Sequence, residues 1–357
     1  MLGITTAREC VKEDSCRRDH PPPPSTARNL AGGADTVAQE GRGYTPPVVD
    51  TFEAADGIRG IDTGMFGRPG LTSAYLVEAD QPALVETGPT TSVESVREGL
   101  GALGIGTGDL AHIVVTHIHL DHAGGAGALA PHYPSATVWV HERGAPHLAD
   151  PDRLVASAAR IYGEERLRTL FGPVHPIPTE RLRAVADGDT IALGGRELAV
   201  LYTPGHAGHH VALLDSTSRG VFVGDALGVF LPDVGVLRPA TPPPEFDLEL
   251  AVASVERIRD VEPSRILFSH FGPSPDVAEL CERSIDRLRR WTAAVERALA
   301  ETDRLPDVVT ALQASTASLD VPADDDREDS LRYEFLSSYE MNAMGIMRYL
   351  RRRAERE

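Results

Sequence analysis

Four times in this chain a short apolar run ends in a histidine or an aspartate set beside glycine. Ile113-Val114-Val115 leads into "THIHLDHAGG", residues 116–125, which holds His117, His119, Asp121 and His122. "LYTPGHAGHH" carries His206, "VFVGDALG" carries Asp225, and "ILFSHFG" carries His270. Short runs of this composition, bounded by turn residues, read as buried strands. Each strand delivers a ligand-type side chain into a loop containing glycine. The recurrence implies that the loops converge on one edge of the sheets.

The spacing within the first motif carries chemistry. In extended backbone the side chains of residues i and i+2 point to the same side, so His117 and His119 can grip one ion. The following turn swings Asp121 and His122 toward a neighbouring point. Imidazole and carboxylate are ligands that zinc, iron and manganese accept. The competing reading is a solvated, histidine-rich loop. Three histidines and an aspartate crowded directly after a strand weigh against it. Four side chains cannot fill two metal sites, which directs attention to His206, Asp225 and His270.

Strands and helices alternate twice along the chain. "TSAYLVEADQPALVETG" reads as two strands around Ala79-Asp80-Gln81, and "TTSVESVREGLGALG" as a helix with Thr and Ser at its start as caps. "ATVWVHE" reads as a strand, "DRLVASAARIYGEERLRTLFG" as helix, and "IALGGRELAVLYTPG" as a hairpin turning at Gly194-Gly195. A second hairpin, "HHVALLDSTSRGVFVGD", precedes the amphipathic helix "FDLELAVASVERIRDV" and the strand "RILFSH". Beyond it the chain is helical. Leu280, Ile285, Leu288, Trp291, Val295 and Leu299 form one apolar stripe, and Leu331, Phe335, Leu336, Tyr339, Met347 and Leu350 a second, both read as core. "TASLDVPADDDRED" between them reads as an acidic, flexible connector. Residues 1–48, rich in Pro, Gly and charge, read as a disordered tail.

Composition narrows the partners. The net charge of −18 over 357 residues argues against nucleic acid and anionic membrane surfaces, which need a basic stripe. No apolar run approaches the ~20 residues of a bilayer span. The polar N-terminus does not read as a signal peptide, so a cytoplasmic location is expected. Cys10, Cys16 and Cys281 are too few and too irregular for a disulfide framework.

In this order, the seven side chains resemble the motif set of the metallo-β-lactamase-fold hydrolases, and "TPGHAGHH" is most similar to the glyoxalase II branch and its uncharacterised relatives. The resemblance covers roughly residues 52–271. It implies an α/β fold, a four-layer αββα sandwich over residues 49–275 with a cleft at its edge, followed by a helical extension over 276–357. It implies that His117, His119 and His206 hold a first metal, that Asp121, His122 and His270 hold a second, and that Asp225 bridges them. Two divalent ions are implied, zinc first, with iron or manganese accepted by the same ligands. A hydroxide bridging two cations forms at neutral pH. It would attack the carbonyl of a carboxylic thioester, ester or lactone while one metal holds the developing oxyanion. Asp121 would orient that nucleophile and take its proton.

The expected partner is a small acyl substrate, with a homodimer left open. β-Lactam cleavage fits poorly without an export signal. Phosphodiester cleavage fits poorly with the charge and with an interval from Asp225 to His270 too short for an inserted domain. Two alternatives remain: a mononuclear iron sulfur dioxygenase, and an inactive metal-bound scaffold. Flavin-linked di-iron relatives would carry Glu at the position of His119. Lesser candidates are His209 and His210 as substitute or supporting ligands, Thr116 as a hydrogen-bonding neighbour, and His141 at a strand end. Glu86, where many relatives carry Asp, reads either as a buttress for a ligating histidine or as a surface turn. "PATPPPEFD" and Tyr339 are candidates for the walls of the cleft.

Overall fold

The computed structural model describes residues 49–319 and 327–356. The expected tail, with Cys10 and Cys16, lies outside the described residues, as do residues 320–326 of the acidic connector.

Two mixed sheets carry the fold. The first has seven strands in sequence order: β1 (Thr51–Ala55), β2 (Ile58–Asp62), β3 (Ser73–Val77), β4 (Ala83–Val85), β5 (His112–Val114), β6 (Thr137–His141) and β7 (Leu182–Val185). The second comprises β8 (Thr190–Ala192), β9 (Glu197–Tyr202), β10 (Val211–Asp215), β11 (Gly220–Gly224), β14 (Arg265–Phe268) and β15 (Gly272–Ser274), ordered β15-β14-β11-β10-β9-β8. A two-stranded ribbon, β12 (Val229–Leu231) with β13 (Val236–Arg238), stands apart. The β8–β9 turn runs through Gly194 and Gly195, at φ 73° and 79°, the left-handed pair that a tight hairpin requires.

Alternation along the strands builds the layers. Val77, Val85, Val114, Val200, Leu213 and Phe222 point inward and form the core between the sheets. Their neighbours Leu76, Leu84, Ile113 and Val115 point outward. They meet α1 (Val93–Ala102) through Val96 and Leu100, and α3 (Ala126–Leu129) through Ala126 and Leu129. The crossovers of this sheet also carry α2 (Leu120–Ala123), α4 (Ala145–Ala149), α5 (Asp152–Tyr162) and α6 (Glu164–Leu170). Ala212, Leu214, Val221, Val223 and Ile266 face out from the second sheet onto α7 (Leu248–Asp260), α8 (Val277–Leu299), α9 (Leu305–Thr316) and α11 (Tyr339–Ala354). The sandwich is therefore αββα, as the resemblance implies. The C-terminal helices share one core with its second sheet, with Trp291 buried at the centre.

Three details differ from the expectations. The Thr and Ser ahead of α1 do not cap it. Thr90–Ser92 forms a 3-10 turn, the Ser92 hydroxyl makes no capping bond, and the Thr90 hydroxyl bonds the carbonyls of Gly124 and Pro173. Leu331 and Phe335 are exposed rather than core, because α10 (Arg327–Leu336) turns Tyr333 and Leu336 onto the β12–β13 ribbon and leaves those two outside it. The β1–β2 hairpin, turning at Asp56-Gly57, was not foreseen.

At the sheet edge remote from the histidines, a buried arginine clamps the two layers together. Arg196 makes paired bonds to Asp215 (Nε–Oδ1 2.6 Å, NH2–Oδ2 2.8 Å). It also donates to the carbonyls of Asp56, Gly57 and Glu78 in the first sheet. Removing one partner of a buried, hydrogen-bonded pair leaves an uncompensated charge. Replacing Arg196 by Met is expected to lower unfolding stability by about 3–5 kcal/mol in urea titrations.

Candidate metal centre

Parallel pairing sets where the polar ends emerge. β4 and β5 run parallel, so Glu86 and the 116–122 loop leave at the same edge. β11 and β14 run parallel, so Asp225 and His270 leave together. A bond from Val211 N to Thr116 O (2.8 Å) and one from Ser73 N to Ser269 O (2.8 Å) tie the two sheets at this edge. His117 and His119 occupy the loop after β5, Asp121 and His122 lie on α2, and His206 follows β9. All seven side chains singled out in the sequence meet there.

They form two adjoining groups. His117 Nε2 stands 3.1 Å from His119 Nδ1, which stands 2.9 Å from His206 Nε2. His122 Nε2 and His270 Nε2 lie 3.6 and 3.5 Å from Asp121 Oδ2. Asp225 lies between the groups. Its Oδ2 is 3.4 Å from His206 Nε2, while its Oδ1 is 3.3 Å from His122 Nε2 and 3.5 Å from His270 Nε2. Ligands held tetrahedrally at about 2.0–2.1 Å from one ion stand about 3.3 Å apart. The four distances above within the triads His117–His119–His206 and Asp121–His122–His270 run from 2.9 to 3.6 Å, and the ligand atoms of each triad all lie within 4.8 Å of one another.

The surroundings suit a cation. Both ring nitrogens of His122, Nε2 of His270 and Oδ1 of Asp225 are buried without a hydrogen-bond partner among the described residues. Buried polar atoms left so are costly unless an ion engages them. Burial pushes His117 well below its ordinary pKa and His119 down to about 3, with neighbouring imidazoles adding to the effect, so both present lone pairs. His206 is lowered too, mainly by burial. Burial works to raise Asp121 and Asp225, but the histidines beside them hold both carboxyls below their usual range. Burial likewise opposes charge on His122, but the carboxylates of Asp225, Asp121 and Glu86 override it and raise that group. Buried carboxylates in such a pocket call for positive charge, which a bound divalent metal would supply.

A supporting shell aims the ligands. His206 Nδ1 bonds Ala240 O (2.9 Å) and His270 Nδ1 bonds Leu71 O (3.1 Å), which leaves each Nε2 facing the cluster. His210 is not a ligand. Its Nδ1 bonds Thr203 Oγ1 (2.8 Å), and its Nε2 accepts Asp225 N (3.1 Å). Gly224, at φ 49°, leaves room for this, since a Cβ there would lie 2.5 Å from His210 Nε2 and 2.6 Å from Thr116 Oγ1. His209 accepts weakly from Ile118 N (3.4 Å). His141 stacks on Tyr202, with centroids 4.7 Å apart.

Glu86 is a buttress and not a surface turn. It is 2% exposed, and its Oε1 accepts from Thr116 Oγ1 (2.5 Å) and Ser269 Oγ (3.3 Å). The same oxygen lies 3.5 Å from His122 Nδ1. Thr116 Oγ1 is in turn 3.0 Å from His117 Nδ1. One carboxylate thus touches the supports of both groups. Its left-handed backbone, φ 67°, carries the side chain inward.

The cluster opens into a cavity of about 340 Å³, at the small end of ligand sites. His119, Asp121, His206 and Asp225 line its floor. The 240–245 segment forms a wall, as its rigidity suggested. Tyr339 does not: it stacks on Trp291 in the core, centroids 5.0 Å apart, and Leu336, Met341 and Asn342 reach the cavity instead.

A model of the metallo-beta-lactamase superfamily matches residues 67–270. The chain belongs to that superfamily. A metallo-beta-lactamase fold-containing protein of Sulfurisphaera tokodaii is 27% identical over 229 residues, covering 62% of this chain and 82% of that protein. A hydroxyacylglutathione hydrolase of a Synechococcus species is 30% identical over 197 residues, 55% of this chain and 62% of the relative. An N-acyl homoserine lactonase of Bacillus cereus is 28% identical over 223 residues, 55% of this chain and 79% of the relative. The solved structure of an archaeal superfamily protein from Sulfolobus tokodaii superposes with a TM-score of 0.60 at 22% identity, covering 82% of this chain and 98% of that one. It bears on the fold alone.

Supporting partners of metal ligands are worth about 10–100-fold in metal affinity. Glu86→Ala, which strips an acceptor from Thr116 and Ser269 and a neighbouring charge from His122, is expected to weaken zinc binding by that factor in chelator competition.

Proposed function

We propose that the chain is a metal-dependent hydrolase of small carboxylic thioesters, esters or lactones. The observation that carries this reading is the pair of adjoining groups, His117–His119–His206 and Asp121–His122–His270, with Asp225 between them at the floor of a cavity. In it His117, His119 and His206 hold one divalent ion, Asp121, His122 and His270 hold the other, and Asp225 contacts both. Two such ions supply a water of lowered pKa and a Lewis acid for the acyl carbonyl. Zinc suits these nitrogen and oxygen ligands, and iron and manganese share them.

The chain's own groups do the rest. Asp121, with 25% of its side chain open to the cavity, accepts a hydrogen bond from the attacking water and orients its lone pair. Tyr162 lines the same cavity. Burial first, then the charges of Asp121 and Asp225, raise its phenol above the usual range, so it stays protonated and offers a donor to the substrate oxygen. The apolar wall thins the water around the reacting carbonyl. The relatives named as a hydroxyacylglutathione hydrolase and a lactonase support an acyl substrate over a phosphodiester.

Metal analysis of the purified protein with parallel assays on a generic thioester, an ester, a lactone and a phosphodiester tests the reading. The expected outcome is two ions per chain with acyl turnover that chelation abolishes, alongside a lower Tm as the buried ligands lose their ions. His119→Ala and Asp225→Ala are expected to lose both metal and turnover. One iron per chain with oxygen uptake would instead establish the sulfur dioxygenase alternative, and two ions with no acyl turnover the inactive scaffold.

A further inference from the structure

The cavity beyond the metal ligands carries information about the substrate. Leu154, Ala158 and Ile161 present one face of α5 to it, at helical spacing. Pro242 and Pro243, with Leu336 and Met341 from the C-terminal helices, stand among the lining residues contributed from elsewhere in the chain. The polar groups of that second wall are already committed. Thr241 and Asn342 bond one another, Glu245 Oε2 accepts Gly208 N (2.7 Å), and the outer nitrogen of His206 bonds Ala240 O. A polar acyl group laid there would give up its bonds to water without replacement. Of the remaining polar lining groups, Arg153, Ser157 and Tyr162 stand on α5 and His147 on α4, with Arg153 exposed to solvent.

We propose that the substrate carries an apolar acyl group, seated against Pro242–Pro243, Leu336 and Met341, with its carbonyl over Asp225. The proposal rests on the hydrolase reading and names its substrate class. Full-length, metal-loaded protein is assayed on thioesters of one thiol with straight acyl chains from acetyl to dodecanoyl, and the matching carboxylic acids are titrated calorimetrically. Burial of each methylene is worth about fourfold, so kcat/KM and carboxylate affinity rise by about that factor per carbon until the cavity is full. Ala158→Trp, which occupies part of the space, moves that plateau to shorter chains. A flat or falling series, with acetyl thioester still hydrolysed, overturns the apolar seat and leaves the hydrolase standing. Failure of the metal-loaded protein to cleave any acyl substrate overturns the hydrolase reading. In that case the carboxylate titrations still decide the seat: a rising affinity supports it and a flat one refutes it.

A separate observation concerns how His206 is held. Its Nδ1 bonds Ala240 O, and both neighbours of Ala240 are fastened to the C-terminal helices. Ser337 Oγ donates to Pro239 O (2.6 Å). Asn342 Oδ1 accepts from Thr241 N (2.8 Å) and from Thr241 Oγ1 (2.6 Å). Asn342 Nδ2 donates to Ser337 Oγ (2.8 Å) and Ser338 O (2.9 Å), so every donor and acceptor of this amide, 1% exposed, is spent on the linkage. Gly345 permits the approach, since a Cβ there would lie 1.8 Å from Thr241 O. All these anchoring residues lie beyond the segment that the superfamily model matches.

We infer that Asn342 is a positioning residue that fixes His206 through Ala240. This too rests on His206 being a metal ligand, and wild-type protein that binds no metal would overturn that reading before the variants are compared. The test uses full-length protein, wild type, Asn342→Leu and Asn342→Asp, with chelator competition for zinc and absorption spectra of the cobalt-substituted forms. Asn342→Asp keeps the acceptor for Thr241 but loses the bonds to Ser337 and Ser338; Asn342→Leu loses both sets. Asn342→Leu is expected to weaken metal binding 10–100-fold and to shift the cobalt bands, while Asn342→Asp stays within a few-fold of wild type. Equal metal affinity in Asn342→Leu and wild type, or equal losses in the two variants, overturns the inference, because a general loosening of the helices affects both alike.

Discussion

The structure hinges on the two oxygens of Asp225. One faces His206, the other faces His122 and His270, and no hydrogen bond among the described residues engages the second. Such an arrangement is unstable as a piece of ordinary core. Carboxylates and imidazoles taken out of water need partners, and here the partners point at a common centre instead of at each other. An ion between them would convert that cost into binding free energy and so couple metal occupancy to folding. Because the ligands come from both sheets, the coupling also fixes how the sheets face one another. A register slip of one residue in β5 or β11 would turn a ligand into the wrong layer.

The two ends of the sandwich divide the tasks. At the end bearing Arg196, one guanidinium satisfies a buried carboxylate and three carbonyls, and the geometry there is that of stability. At the opposite end the backbone accepts left-handed conformations at Glu86 and Gly224, and crowds His210 against Asp225 N. Backbone of that kind persists where surrounding structure over-determines it. Here it lets Glu86 reach Thr116, Ser269 and His122 at once.

How much of this was legible follows from how local each signal is. The "HIHLDH" run and the three later strand ends were readable because each ligand sits within a few residues of its own apolar strand and glycine. Which strands neighbour which was not readable, since β11 pairs with β14 across α7 and only long-range packing chooses that partner. The β1–β2 hairpin left a readable trace in Asp56-Gly57, a turn signal flanked by too few large apolar residues to declare strands. Glu86 stood evenly between two roles because burial of a single carboxylate depends on what packs over it. Leu331 and Phe335 misled for a general reason. Helical periodicity shows which residues share a face, but not how much of that face its neighbours cover: the β12–β13 ribbon takes Tyr333 and Leu336 and leaves these two outside. Asn342 carried no signal, as its partners at Thr241 and Ser337 belong to different segments.

The C-terminal helices then acquire a double role from one packing arrangement. Trp291 and Tyr339 stack within the core that closes the second sheet, so α8 and α11 cannot be displaced without opening it. That rigidity is what allows the α10–α11 junction to hold the 239–241 segment at hydrogen-bonding distance and to present Leu336 and Met341 to the cavity. A superfamily scaffold that supports many reactions distinguishes among them through the segments set around a common centre. In this chain the seven clustered side chains lie within residues 117–270, and part of the enclosure is supplied from beyond them. The two regions meet physically at Ala240, whose carbonyl bonds His206 and whose neighbours are held by the C-terminal segment that also reaches the cavity.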